Sequence, residues 1–331
     1  MFPELSPSAG LIGIAKLAAD APVLEAKSRV EYRDLENRTL IGRVGTKRPL
    51  PFDHTINPYR GCEYGCKYCY ARYTHEFMEL RETEQFETLI FAKHFEPHAF
   101  RRELAKIPHS ARIAIGTATD PYQPAERRYR ITQQILSVFQ EDRGRHVSIT
   151  SKSDLIPRDS SLLVAVGQRN DVHILQTITT MDAALARILE PYAPRPDLRI
   201  ECVRKLSEAG IRVTVMNSPV LPLLNDSRES LAQVAAAGKA AGASYFVAQP
   251  LFLKPCAREA FFPMLEQQFP HLVRRYRERY ARESYLKGAY PEMLAERVRS
   301  VREEYGLTNR HGREALPDLW PEKDQLTLFE A

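Results

Sequence analysis

Apolar positions along this chain follow two periods. From residue 53 onward, short apolar runs of strand length alternate with longer stretches whose apolar residues fall on one helical face. Residues 53–57, 112–116, 147–151, 172–177, 211–216 and 245–248 read as strands, and 87–93 as a further extended segment. Between them, 97–106, 125–140, 160–166, 183–189, 197–209 and 230–241 read as helices. In the second of these, Ile131, Ile135, Leu136 and Phe139 share a face. Gly210 and Gly242 stand where helices are expected to stop. The series gives about six βα units, the rhythm of an α/β fold with a parallel sheet or barrel. Residues 1–50 show little periodicity and several basic residues (Arg29, Arg33, Arg38, Arg43, Lys47, Arg48). They are expected to form an arm that packs on the main domain or is partly disordered. Residues 51–255 are expected to form the main domain. From 256 to 331 the pattern becomes a charged helical extension, with helices at 262–284 and 291–305 and an apolar tail, Gln325 to Phe329, that docks on the body.

The chemistry concentrates after the first strand. Cys62-Glu63-Tyr64-Gly65-Cys66-Lys67-Tyr68-Cys69 places three thiols within eight residues, with no fourth cysteine nearby. Three thiolates leave one position of a four-coordinate site open, and open positions are where metals react. Two glycines, Gly61 just before this run and Gly65 within it, allow a short loop to wrap closely around a cluster. Tyr68 sets an aromatic ring beside the open position.

These residues resemble the radical SAM enzymes. Asn57-Pro58-Tyr59-Arg60-Gly61-Cys62, Tyr68-Cys69-Tyr70-Ala71-Arg72 and Thr119-Asp120-Pro121-Tyr122-Gln123-Pro124, with Glu190-Pro191 and Arg199, look like the branch related to spore photoproduct lyase. The resemblance covers roughly residues 50–255. It implies a partial (β/α)6 TIM-like barrel and a [4Fe–4S] cluster on Cys62, Cys66 and Cys69. It also implies S-adenosylmethionine on the fourth iron and a one-electron reductant such as flavodoxin or ferredoxin. Reductive cleavage of the sulfonium then gives methionine and a 5′-deoxyadenosyl radical that takes hydrogen from substrate. Cofactor contacts belong at strand C-termini. The family's Gly-Gly-Glu-like turn is replaced here by Gly116-Thr117-Ala118-Thr119-Asp120, so backbone carbonyls with Asp120 take the missing glutamate's place. Ser151 and Lys152 suit the methionine carboxylate, Glu190 and Arg199 the carboxylate or ribose, and Asn217 with Ser218 the ribose or adenine. Spore photoproduct lyase carries a hydrogen-donating cysteine just before the segment matching Thr119-Asp120, where this chain has Thr117-Ala118.

Composition narrows the alternatives. The 331 residues are 44% hydrophobic and 27% charged, with net charge +5, an ordinary soluble balance without a membrane span. Five cysteines, three of them clustered, do not form a disulfide framework, and a cytoplasmic, reducing location is expected. The stretch 9–17 lacks a basic leader and contains Lys16, so it reads as an amphipathic arm rather than a signal peptide. A non-enzymatic zinc or iron–sulfur protein that binds nucleic acid remains the alternative, with His54, His75, Cys202 or Cys256 as a fourth ligand. Ser151, Lys152, Asp120 and Asn217 also fit ordinary turns, and Glu190 with Arg199 fits an ion pair. Arg127-Arg128-Tyr129-Arg130 and the run 274–280 interleave Arg with Tyr, which suits phosphate contact and base stacking by a nucleic-acid substrate.

Overall fold

The computed structural model describes residues 10–27, 29–45 and 50–308. Eleven strands are described: β1 (Val23–Ala26), β2 (Glu31–Leu35), β3 (Ile41–Arg43), β4 (His54–Ile56), β5 (Tyr59–Arg60), β6 (Leu89–Lys93), β7 (Arg112–Ile115), β8 (His146–Ser151), β9 (Asp171–Thr177), β10 (Val213–Val220) and β11 (Tyr245–Pro250). The larger sheet runs β11-β10-β9-β8-β7-β4-β3. Its six strands from β4 to β11 are all parallel, and β3 adds antiparallel to β4 at the edge. Six parallel strands in sequence order, opened between β3 and β11, form the expected partial barrel.

Strand alternation explains why the barrel is hollow. On one face Ile113, Ile115, Val147, Ile149, Val172, Ile174, Val213 and Val215 pack under helices. On the other face Ser148, Thr150, His173, Thr177, Met216 and Gln249 line a cavity of about 1920 Å³. Successive side chains point to opposite faces, so each strand contributes to both environments. Helices Ile131–Glu141, Ser160–Gly167, Pro196–Glu208 and Arg228–Ala240 supply the outer layer, with Ile135, Leu136 and Phe139 in the core as their spacing requires. The run 125–140 forms two helices rather than one, Glu126–Tyr129 and Ile131–Glu141, because Arg130 between them is left-handed, with φ of 52°.

The N-terminal stretch is more ordered than its weak periodicity implies. β1 and β2 join β6 and β5 in a second sheet, ordered β1-β2-β6-β5, and β3 belongs to the barrel sheet. The tertiary partner sets these strands, since residues 23–43 alternate too little to announce themselves. The expected helix at 262–284 is also divided, into Pro255–Gln268 and Val273–Arg279, broken at Phe269-Pro270. These pieces pack on the cysteine loop through Phe261, Leu265, Tyr276 and Tyr280. Helix Ala289–Glu304 instead covers β11 and helix Arg228–Ala240, and Thr308 bridges to Tyr245. The expected docking tail at 325–329 lies outside the described residues. No described helix is long and apolar enough to cross a membrane.

Gly116, at the end of β7, has φ of 89°, and a Cβ there would lie 2.5 Å from both Pro121 Cδ and the Thr150 carbonyl oxygen. Gly116→Ala is expected to destabilise the protein by about 1–3 kcal/mol. A urea midpoint unchanged from wild type would contradict this account of the turn.

Candidate functional site

The three cysteines follow β5 in a loop that folds back over the open ends of the strands. Cys62 and Cys66 are buried and Cys69 is half-buried. All three line the large cavity together with Tyr64, Tyr68 and Tyr70. Backbone bonds shape the loop: Cys62 N donates to Phe86 O (2.9 Å), Cys69 N to Cys66 O (3.2 Å), and Lys67 N to Leu189 O (2.9 Å). Gly61, with φ of 80°, has no room for a side chain, because a Cβ would meet the Leu89 and Phe86 carbonyl oxygens at 2.9 Å. Arg72 closes the loop from beneath, donating to Cys66 O (3.3 Å), Thr83 O (2.6 Å) and Glu87 Oε2 (2.7 Å).

The segment 119–125 clamps this loop. Thr119 Oγ1 donates to Gly61 O (2.5 Å), as does Gln123 Nε2 (3.2 Å), and Glu63 N donates to Gln123 Oε1 (3.0 Å). Ala125 N donates to Glu63 Oε1 (2.7 Å), and Tyr32 OH to Glu63 Oε2 (2.8 Å). Asn57 reaches the same turn from β4, its Oδ1 accepting from Ala118 N at 2.8 Å. Asn57 and Gln123 lie in the quoted motifs, but their positioning work is invisible without the fold. Gln249, at the end of the sixth parallel strand, faces the cavity, and the strand-end rule that singled out residues after four of the other strands would have found it.

The expected cofactor contacts divide into two groups. Gly116, Thr117, Asp120, Ser151, Lys152 and Tyr68 line the cavity with the cysteines. Asp120 is already engaged: it accepts from Ser151 Oγ (2.7 Å), Lys152 N (2.7 Å) and Tyr122 N (2.9 Å), tying the end of β7 to the end of β8. Burial nonetheless pushes its carboxyl above the usual carboxylate value. Tyr70 OH donates to the Thr117 carbonyl.

Glu190, Arg199 and Asn217 are not on the cavity wall. Glu190 and Arg199 are 1% exposed and form an ion pair, Arg199 Nη2 to Glu190 Oε2 at 2.5 Å. Arg199 also donates to Thr177 O (3.2 Å) and Pro194 O (2.7 Å). Glu190 accepts from Tyr68 OH and from Thr179 Oγ1 (2.5 Å), and Lys152 Nζ stands 3.9 Å from it. Asn217 Nδ2 donates to Ile178 O and Thr179 O, each at 2.9 Å. These three side chains therefore sit behind the wall, and the hydrogen bonds they make are to the protein.

Charge in the site follows from burial and neighbours. Burial works against the Glu190 carboxylate, but Arg199 and Lys152 outweigh it and hold its pKa below the usual value. Burial likewise opposes the Lys152 ammonium, and Glu190 with the Cys66 thiol outweighs it, so Lys152 stays charged. Lys152 Nζ also lies 5.6 Å over the Tyr68 ring. Burial pushes the Cys66 thiol up to about 12 and raises Cys62 and Cys69 as well. Such thiols become thiolates by exchanging protons for metal.

The donor set suits an iron–sulfur cluster: three soft thiols on one cavity, with open space beyond them. Among the described residues no three His, Cys, Asp or Glu side chains converge closely enough to share a single metal ion. The expected fourth ligands, His54 or His75 for zinc and Cys202 or Cys256 for an electron-transfer cluster, are elsewhere. His54 opens β4, at the strand end away from the cysteines. His75 Nε2 bonds to Leu89 O (3.2 Å) between Phe86 and Phe91, with its pKa lowered by burial to about 3. Cys202 is buried in the outer core against Gln176 Oε1 (3.5 Å), and Cys256 contacts Tyr70 O (3.6 Å) from outside the cavity. The Arg/Tyr runs do not offer stacking faces. Tyr276 and Tyr280 are buried, bonding to Pro222 O (2.7 Å) and Leu251 O (3.0 Å), and Tyr129 packs edge-on to Tyr32.

A half-open barrel of six parallel strands with three cysteines after the first defines a cluster enzyme of the radical type. The sequence profile of the radical SAM superfamily matches residues 56–235, and the chain belongs to that superfamily. Its members use a [4Fe–4S] cluster and S-adenosylmethionine. An uncharacterized protein of Mycobacterium tuberculosis is 35% identical over 291 residues, 87% of this chain and 85% of the relative. An uncharacterized protein of Methanocaldococcus jannaschii is 30% identical over 173 residues, 52% of this chain and 62% of the relative. In fold the chain is similar to spore photoproduct lyase complexed with dinucleoside spore photoproduct. The TM-score is 0.63 at 13% identity, covering 90% of this chain and 86% of that one.

Removing Arg199 alone strands a buried carboxylate. Arg199→Met is expected to cost about 3–5 kcal/mol, and Glu190→Gln less. Because the Glu190 pKa is lowered on folding, its contribution is present above the unfolded value and lost as pH falls through the folded one. The stability gap between wild type and Glu190→Gln, measured by urea unfolding, should therefore be full above about pH 5 and shrink on acidification.

Proposed function

We propose that Cys62, Cys66 and Cys69 hold the [4Fe–4S] cluster and that the adjoining cavity receives S-adenosylmethionine and then substrate. When bound, the pair supplies a 5′-deoxyadenosyl radical that abstracts a hydrogen atom. The observation that carries the reading is one cavity lined by all three thiols and by the ends of β7, β8 and β9. In this reading Lys152 takes the methionine carboxylate, with the Ser151 hydroxyl beside it. Backbone carbonyls around Gly116 and Thr117 take the amino group. Asp120 fixes the wall by joining β7 to β8. Glu190 and Arg199 serve as positioning residues: through the buried ion pair they orient Tyr68 and Lys152, and Asn217 holds the 178–179 backbone to which the network is anchored.

The cavity, at about 1920 Å³, exceeds the roughly 300–1,000 Å³ usual for small-ligand sites. That excess supports a substrate larger than a metabolite. Tyr70, Phe252 and Tyr285 line it, with the last two rings stacked at 4.3 Å, which supports a nucleic-acid segment with an unstacked base. The reaction of spore photoproduct lyase itself is not proposed. Thr117 and Ala118 stand where the donor thiol would be, and neither Cys202 nor Cys256 lines the cavity.

After anaerobic reconstitution, the wild type should bind iron and sulfide, absorb in the visible, and release 5′-deoxyadenosine under strong reductant. A triple Cys62, Cys66, Cys69→Ala variant should lose all of these. A fully loaded wild type that never cleaves S-adenosylmethionine would refute the reading. Lys152→Met should keep its iron while raising KM for S-adenosylmethionine by roughly tenfold to a hundredfold, the scale of a lost charge-assisted hydrogen bond. For the substrate, deuterium should pass to 5′-deoxyadenosine from labelled oligonucleotides; transfer only from peptide or metabolite pools would reassign the class.

A further inference from the structure

A cluster that must be reduced needs a place where its electron donor docks. Resting on the proposed function, we infer that the surface around Tyr192, formed by Arg29, Lys67, Arg187 and the Tyr192 ring, is the docking face for a small acidic one-electron carrier protein.

The outer side of the cysteine loop is covered there by residues 189–192. Residues 189–192 lie directly on the loop, with Lys67 N bonded to Leu189 O (2.9 Å) and Tyr192 N to Tyr64 O (3.3 Å). A Cβ on Gly65 would sit 2.9 Å from Tyr192 Cδ2, so the ring touches the backbone between Cys62 and Cys66. Tyr192 is nonetheless 49% exposed. A half-exposed aromatic ring thus lies directly against the loop backbone. Electron transfer falls steeply with distance, and a carrier seated on this ring lies one side chain away from the cysteine loop.

The charge around the ring selects the partner. The Arg29 guanidinium stacks on Tyr192 at 3.9 Å and donates to Glu63 O (3.3 Å). Arg187 donates to the Pro191 carbonyl, and Lys67 is half-buried in the loop itself. Among the described residues no carboxylate lies within ion-pair distance of these three cations. The neighbouring acids are occupied. Glu25 faces Arg128 and Lys27, Glu63 is buried under Tyr32, and Asp197 pairs with Arg195 at 2.9 Å. Elsewhere comparable arginines are neutralised, as in Arg274 with Glu278 and Arg277 with Glu266. Arg29 also acts on the buried Glu63 carboxylate, while among the described residues Lys67 and Arg187 have no ion-pair partner, so positive charge predominates around the exposed ring, which suits an acidic partner, with attraction acting mainly on the rate of encounter.

The test compares two ways of reducing the same reconstituted holoenzyme. One is photoreduced deazaflavin, a small molecule that needs no docking face; the other is reduced flavodoxin, as an acidic protein donor. In the Arg29→Glu/Arg187→Glu variant, 5′-deoxyadenosine formation should match wild type with deazaflavin. With flavodoxin at low salt it should fall at least tenfold, the lower end of electrostatic steering. Wild-type flavodoxin-driven rates should also drop as salt rises, and the variant's should not. Arg187→Gln, which leaves the Arg29 contact to the loop intact, should give an intermediate loss with flavodoxin only. Full flavodoxin-driven activity in the double variant would overturn the docking assignment, and so would equal loss with both reductants. A wild type inactive with deazaflavin would instead overturn the radical reading beneath it.

Discussion

The site is organised around a carboxylate that cannot be left alone. Glu190 is essentially excluded from water, and an unpaired charge in such a place costs several kcal/mol. The fold meets this demand with Arg199, Lys152, Thr179 and Tyr68, drawn from a helix, the end of β8, the segment after β9 and the cysteine loop. Satisfying one charge therefore brings four separate pieces of chain to fixed positions. Two of them, Tyr68 and Lys152, face the cavity. The ion pair itself stays behind the wall.

A second constraint is the hollow barrel. A closed barrel fills its interior with branched apolar side chains. Here the sheet stays open, and the inward positions carry Ser148, Thr150, His173 and Thr177. The outward positions of the same strands hold the main apolar core. Stability and function are thus separated by strand alternation: the helices are held by one face, and the other is left for ligands. The clamp of Thr119 and Gln123 on Gly61 O then hangs the cysteine loop over the open end.

Much of the fold was legible because strand and helix periods are local. All six parallel strands and the helices between them stand within a few residues of their expected places. The exceptions are instructive. β1, β2 and β3 exist through pairing with β6 and β4, and no short-range pattern records a partner that far along the chain. Arg130 adopts a left-handed conformation that breaks a continuous helical pattern. In the site, the cysteines and the ends of β7 and β8 were readable from type and spacing. The direction in which Glu190, Arg199 and Asn217 point was not, because a polar residue after a strand reads the same whether it faces a ligand or the protein. The tyrosines of the basic runs misled for a related reason: Tyr276 and Tyr280 use their rings as core and only their hydroxyls as polar groups.

By itself, the sequence determined the superfamily, the cluster of three cysteines and the α/β rhythm, since each is written in residue types at short, fixed spacings. The tertiary structure alone decided which strand-end residues reach the cavity and which are spent on a buried ion pair. Those are questions of direction and burial. They are settled only when chain segments more than a hundred residues apart, such as Tyr68 and Glu190, compete for the same few hydrogen bonds.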